Sequence, residues 1–251
     1  AGFTWVIFAL PMAASLVRRR DFVLPKRFGL WLLFLVAALG SVTSIDSGSR
    51  MAGWILRFAY YVSATVFMIY VLNGRESVSV WRVVRAFVWL WMATVVGGYL
   101  AFVVGSLTYA SPMAYLMPAS FRSNELIGTL VTPSFAEIQD IIGFPVPRPK
   151  APFPYTNSWG SMLALLTPFA LIAQREPRVG FSDRLIRVML VASIFPAVIS
   201  LNRGLWLSLG LGFGYVALRL GAAGQSKALR NTILGMMALV ILVTAVFMGG
   251  F

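Results

Sequence analysis

The sequence predicts an all-α membrane protein: a polytopic transmembrane helical bundle of about eight spans with one long external loop. Three observations predict it. Of the 251 residues, 59% are hydrophobic and only 12% are charged, against about 25% charged in an average soluble domain. Apolar windows of 17 to 23 residues recur along the chain, the length a helix needs to cross roughly 30 Å of hydrocarbon. The basic residues gather in alternate connections between those windows, as membrane topology demands. A transmembrane β-barrel would instead show short segments of alternating polarity.

In order, the spans fall at about 1–16, 28–45, 55–73, 84–106, 158–174, 185–200, 204–219 and 231–251. One set of connections (17–27, 73–85, 175–187 and 219–230) holds 15 of the 21 Lys and Arg residues, and the other (46–57, 107–157 and 201–203) holds 6. The positive-inside rule puts the first set in the cytoplasm and Ala1 and Phe251 on the outer side. The apolar opening lacks the basic start and cleavage site of a signal peptide. The chain therefore reads as a single transmembrane domain over 1–251, truncated at both ends.

The run from Leu185 to Leu218 is too long for one crossing, so it predicts a helical hairpin turning at Leu201-Asn202-Arg203-Gly204. The external loop 107–157 is unlike the other connections. Prolines at 145, 147, 149, 152 and 154 predict a stiff polyproline-II track. Phe144, Phe153 and Tyr155, with Arg148 and Lys150, suggest a loop lying on the protein at the membrane surface. Within SFAEIQDII, Glu137 and Asp140 are spaced to share one helical face.

Net charge is +13, but the basic residues lie in short loops, with no nucleic-acid motif, so no nucleic-acid partner is expected. Cysteine is absent, which excludes disulfides and thiolate sites, and histidine is absent too. The scattered acids Asp46, Glu125, Glu137 and Asp140 make no ligand cluster, so no metal is expected. No acid lies deep in a span, which argues against proton-coupled transport. The chemistry that remains is anion binding. Asn202 or Ser200 can cap the helix beginning near Gly204, whose free N–H groups and the Arg203 fork suit a phosphate, while Gly204 admits a bulky group. On the same outer side, Arg50 and Arg57 flank the third span. Arg57 lies in apolar WILRFAYYV, where a charge is expected to face the bundle interior.

SLNRGLWLSLGLGFGYVAL resembles the Ser-x-Arg-Gly/Ala helix start of the O-antigen ligase/polymerase superfamily, the membrane glycosyltransferases of bacterial surface polysaccharides. APFPYTNSWGSMLALLTPFALIA resembles the Asn-x-x-Gly/Ala helix start that precedes it there, with Asn157 and Gly160 at the matching positions. PVPRP and APFPYTNSWG are similar to versions from high-GC Gram-positive bacteria, and the resemblance covers roughly residues 28–251. It implies a multi-pass protein of the bacterial cell membrane. This would move a glycan from an undecaprenyl diphosphate carrier to a glycan or lipid acceptor at the extracytoplasmic face, with no cofactor. Arg203 matches the catalytic arginine that holds the diphosphate; Asn202 and Gly204 beside it, and Arg57 and Arg50, which match no motif of the family, are diphosphate-binding helpers from the residues themselves. Arg148, Lys150, Tyr155 and Asn157 are candidates from the loop. Ligases of this family use a histidine in a later external loop as base, and this chain has none. That places the expected base beyond Phe251. The alternatives are a shape-elongation-type peptidoglycan polymerase, with Asp140 as its loop aspartate, or a lipid-linked sugar transporter or flippase.

Overall fold

The computed structural model describes residues 4–19, 21, 23–74, 79–118, 125–140 and 145–248. The expectations for Ala1, Phe144 and Phe251 lie outside those residues, and the Glu125 side chain is likewise not described. The molecule is mostly helical. Its helices are α1 (Thr4–Val17), α2 (Phe28–Gly40), α3 (Gly48–Asn73), α4 (Val80–Val104), α5 (Pro112–Leu116), α6 (Glu125–Val131), α7 (Thr156–Arg175), α8 (Asp183–Ile199), α9 (Arg203–Ala222) and α10 (Ser226–Met248). A helix stands at each of the eight expected spans. Among the described residues three are long and apolar enough to cross a membrane: Arg50–Asn73 of α3, all of α4 and all of α9. Large apolar side chains such as Leu30 and Leu33 on α2 and Leu211 and Leu218 on α9 are mostly exposed. Contiguous apolar surface of that kind suits a lipid environment.

The chain packs as two compact units. The first comprises Ala1–Val83 and Ala110–Pro133, the second Val84–Tyr109 and Ser134–Phe251. In the first, α1 packs along α3. The Trp31 indole donates to Thr65 Oγ1 at 2.8 Å and the Trp54 indole donates to the Ala38 carbonyl at 3.1 Å, tying α2 to α3. At the other end of α3, Asn73 accepts from Val23 N at 2.7 Å and donates to the Val23 carbonyl at 2.9 Å. Its side chain thus imitates a backbone pair and holds the basic segment after α1.

The second unit is built around α4 and α7, whose Trp91 and Trp159 are fully buried. A buried indole needs an acceptor. Trp159 finds the Thr94 carbonyl at 2.9 Å, and Trp91 finds Thr167 Oγ1 at 3.3 Å. Gly98 is what allows this packing: a Cβ there would lie 2.7 Å from Pro196 Cβ and 2.9 Å from Trp159 Cζ2. Arg85 of α4 donates to the Val179 carbonyl at 2.5 Å. Two basic connections of one set therefore meet at the same end of this unit.

The loop corrects the sequence reading. Residues Ala136–Asp140 form strand β1 and Pro145–Pro149 form β2, paired antiparallel with Glu137 opposite Arg148 and Gln139 opposite Val146. The proline segment is extended as expected, but it is paired rather than free polyproline II. An antiparallel ladder uses the N–H of every second residue toward a given neighbour. Prolines at 145, 147 and 149 are compatible with such a ladder when they occupy the positions facing away. Glu137 and Asp140 consequently lie on a strand, where a separation of three puts them on opposite faces, not on a shared helical face.

Candidate anion-binding site

The turn between α8 and α9 is made by Ser200, Leu201 and Asn202. Leu201 takes a left-handed conformation with φ 49°, which lets the chain reverse within three residues. Asn202 caps α9: its Oδ1 accepts from Leu205 N at 3.1 Å. Arg203, expected in the turn, is the first residue of the helix. The Asn202 amide is buried, and its Nδ2 donates to the Thr156 carbonyl at the start of α7, at 2.9 Å. Close approach depends on Gly160, where a Cβ would lie 2.3 Å from Asn202 Nδ2. The two segments that carry the family resemblance, Thr156–Gly160 and Ser200–Gly204, are thereby in direct contact. Two helix starts with their positive dipole ends lie side by side.

The β-hairpin closes a circuit on these starts. Arg148 Nε donates to the Ser200 carbonyl at 3.0 Å, and its other arm donates to Gln139 Oε1. Gln139 Nε2 donates to Glu137 Oε1 at 2.6 Å, and Thr156 Oγ1 donates to Glu137 Oε2 at 3.0 Å. The hydrogen bonds run Ser200, Arg148, Gln139, Glu137, Thr156, Asn202, two residues from where they began. Glu137 is not the solvated loop charge its position in the sequence suggests; it is half-buried with both oxygens engaged. Burial lowers the pKa of Arg148, and the Glu137 carboxylate opposes that shift. Arg148 thus holds the frame rather than offering a free fork.

Lys150 differs. It follows β2, its side chain is buried, and among the described residues its amine has no hydrogen-bond or ion-pair partner. Its backbone is fixed: Lys150 N donates to the Phe135 carbonyl at 3.1 Å. The next carbonyl, of Ala151, lies against Gly97, where a Cβ would come within 2.1 Å of it. Desolvation lowers the Lys150 pKa, and Glu137 again works in the opposite direction.

Arg203 is exposed at the α9 start and likewise has no partner among the described residues. Gly204 beside it is exposed; a Cβ there would meet Asn202 Oδ1 at 3.3 Å. Tyr155 and Asn157 are exposed at the start of α7, which no side chain caps. The first-turn N–H groups there have no intrahelical acceptor. The second unit therefore gathers Arg203, Asn202, Gly204, Arg148, Lys150, Tyr155 and Asn157 around two adjacent helix starts. Arg50 and Arg57 belong to the first unit. Arg50 is paired with Asp46 at 3.0 Å in an exposed ion pair. Arg57 is exposed on α3 rather than enclosed within its unit.

Gln139, Thr156 and Gly97 were not singled out in the sequence reading, although Gln139 and Thr156 lie in its quoted segments. For Gln139 the alternate prolines opposite it were the available signal, since period two marks a strand. Among the described residues no group of three Asp, Glu, His or Cys could hold a metal ion. No protein-family model, curated protein or solved structure matches the chain.

Proposed function

We propose that the protein transfers a glycan from an undecaprenyl diphosphate carrier to a glycan or lipid acceptor at the extracytoplasmic face of a bacterial cell membrane. One observation carries the reading: the Asn202–Thr156 hydrogen bond of 2.9 Å joins the two helix starts on which the family resemblance rests. A diphosphate suits such a place. Unpaired backbone N–H groups at α7 and α9 and the free guanidinium of Arg203 would stabilise the charge that grows on the departing diphosphate, the electrostatic form of catalysis. No cofactor is needed for this step. Three long apolar helices and the exposed apolar faces of α2 and α9 fit a lipid-borne donor.

The test is release of undecaprenyl diphosphate from lipid-linked glycan in membranes carrying Arg203 variants at wild-type expression. Arg203→Ala is expected to abolish release. Arg203→Lys should recover little of it, because a point charge does not reproduce a bidentate grip. Wild-type release by Arg203→Ala would leave this arginine as a membrane-surface anchor and remove the basis of the reading.

A further inference from the structure

We propose that Arg18, Lys26 and Arg27, in the connection between α1 and α2, bind the headgroup of an anionic phospholipid in the leaflet they face. The site lies in the first unit and does not depend on the functional reading above. Residues 18–27 read RRRDFVLPKR, five cations against the single acid Asp21. A basic connection between two apolar helices would ordinarily be a solvated loop whose charges serve topology alone. This one is held. Asn73, the last residue of α3, accepts from Val23 N and donates to the Val23 carbonyl, and Arg19 donates to the Asn73 carbonyl at 2.6 Å. Asn73 thereby gathers both halves of the connection at one end of α3. The Arg19 bond sets a cation on the C-terminal end of that helix, where the dipole favours it, so Arg19 is spent within the protein.

Arg18, Lys26 and Arg27 are not spent. All three are exposed, and among the described residues their side chains have no hydrogen-bond or ion-pair partner, Asp21 included. Lys26 and Arg27 stand just before α2, where the helix dipole is also positive and no side chain caps the start. The positive charge gathered there calls for an anion from outside. The neighbouring apolar side chains decide which kind. Neither α1 nor α2 contains a charged residue, so the ends of these helices mark the edge of the hydrocarbon and the cations stand at headgroup level. Val17 is 86% exposed, Val23 66% and Leu24 44%. A soluble anion would answer the charge and leave these side chains in water. A phospholipid answers both, with its phosphate against the cations and its acyl boundary around Val17, Val23 and Leu24.

The experiment titrates the full-length protein, purified in an uncharged detergent, with phosphatidylglycerol, phosphatidylcholine and inorganic phosphate, and counts bound lipid by native mass spectrometry. Phosphatidylglycerol should be retained, phosphatidylcholine should not, and inorganic phosphate should not displace it. Each cation near an anionic surface is worth about fivefold in affinity, so changing Arg18, Lys26 and Arg27 together to Gln should cost about 100-fold. The control removes the same number of cations from another connection of the same basic set, by changing Arg219, Lys227 and Arg230 to Gln, and should leave the affinity within a few-fold of wild type. Asn73→Ala keeps every charge but releases the connection, and should still weaken retention several-fold. Equal losses in the two triple variants would reduce the cations to their topological role and overturn the proposal. So would full retention in Asn73→Ala, since no held site would then exist, or displacement by inorganic phosphate, which would mean a soluble-anion site. Should the Arg18, Lys26 and Arg27 triple variant fail to fold, Lys26→Gln alone decides: a loss of about fivefold is expected, and unchanged affinity would overturn the proposal.

Discussion

Asn202 performs two tasks that substitution can separate. Asn202→Ala deletes the cap on Leu205 N, a change that typically costs about 1 kcal/mol. It also deletes the donor to Thr156, whose carbonyl keeps its place in the α7 ladder, so the loss is one net hydrogen bond of about 1 kcal/mol. The buried volume left by the amide adds to this, since it lies against Gly160. The sum is about 2–3 kcal/mol, a fall of roughly 30- to 150-fold in the folding constant. Asn202→Ser keeps a capping hydroxyl but cannot reach Thr156, so it should cost only about 1 kcal/mol. The eight tryptophans provide a fluorescence signal for unfolding the purified protein in mixed detergent micelles. An Asn202→Ala protein within about 0.5 kcal/mol of wild type would mean the two helix starts are not held by this side chain. Equal losses for Ser and Ala would assign the whole effect to the Thr156 contact and none to the cap.

Gly97→Ala would force its Cβ to within 2.1 Å of the Ala151 carbonyl, so the loop must lift from α4, with about 1–3 kcal/mol lost and protease access gained at 150–155. Lys150 has a lowered pKa in the folded protein, so below the ordinary lysine range the unfolded chain binds the extra proton. Stability should therefore rise with pH from the folded value up to that range, and Lys150→Met should abolish that slope in unfolding measured across pH. The chain has no cysteine, so single cysteines report orientation. Asp140→Cys on exposed β1 should react with an impermeant maleimide on intact cells and Gln225→Cys, between α9 and α10, should not. The reverse pattern would invert the topology.

How much of this was legible depends on the scale of the interaction. Span positions were legible because hydrocarbon thickness imposes a length on the apolar windows, and α7, α8 and α9 begin and end within a few residues of the sequence reading. The cap at Asn202 was legible because capping is local. The hairpin was misread as a helical stretch followed by free polyproline II, because residue type in SFAEIQDII is ambiguous and the prolines were weighed one at a time. Their period of two was the informative feature. The partners of Glu137 and Arg148 could not be read at all: Thr156 is 19 residues from Glu137 and Ser200 is 52 from Arg148, and only the packing brings them together. The meaning of Gly160 likewise depends on a side chain that arrives from another helix.

What separates Arg148, Lys150 and Arg203 is where the nearby carbonyls and carboxylates go. As letters in a sequence, all three are cations on one outer surface. The C-terminal end of α8 leaves the Ser200 carbonyl without a helical donor, and the Arg148 guanidinium, opposite Glu137 in the ladder, is the group placed to satisfy it. Glu137 gives one oxygen to Gln139 and one to the α7 start, so it acts on Lys150 through its charge rather than through a hydrogen bond. Asn202 caps α9 and ties it to the Thr156 carbonyl with one amide, so neither bond calls on Arg203. Satisfying the frame therefore leaves two cationic side chains uncommitted, one exposed and one buried. Exposure suits the arginine to meet a diphosphate arriving from the membrane, while burial holds the lysine's pKa down. The same accounting predicts that Gln139→Leu, which frees both Arg148 and one Glu137 oxygen, would let Glu137 pair with Lys150 and raise the lysine's pKa. The rise of stability with pH that Lys150 contributes should then shrink, the opposite direction to Glu137→Gln, which should enlarge it. A slope that changed the same way in both variants would show that Glu137 does not set the state of Lys150.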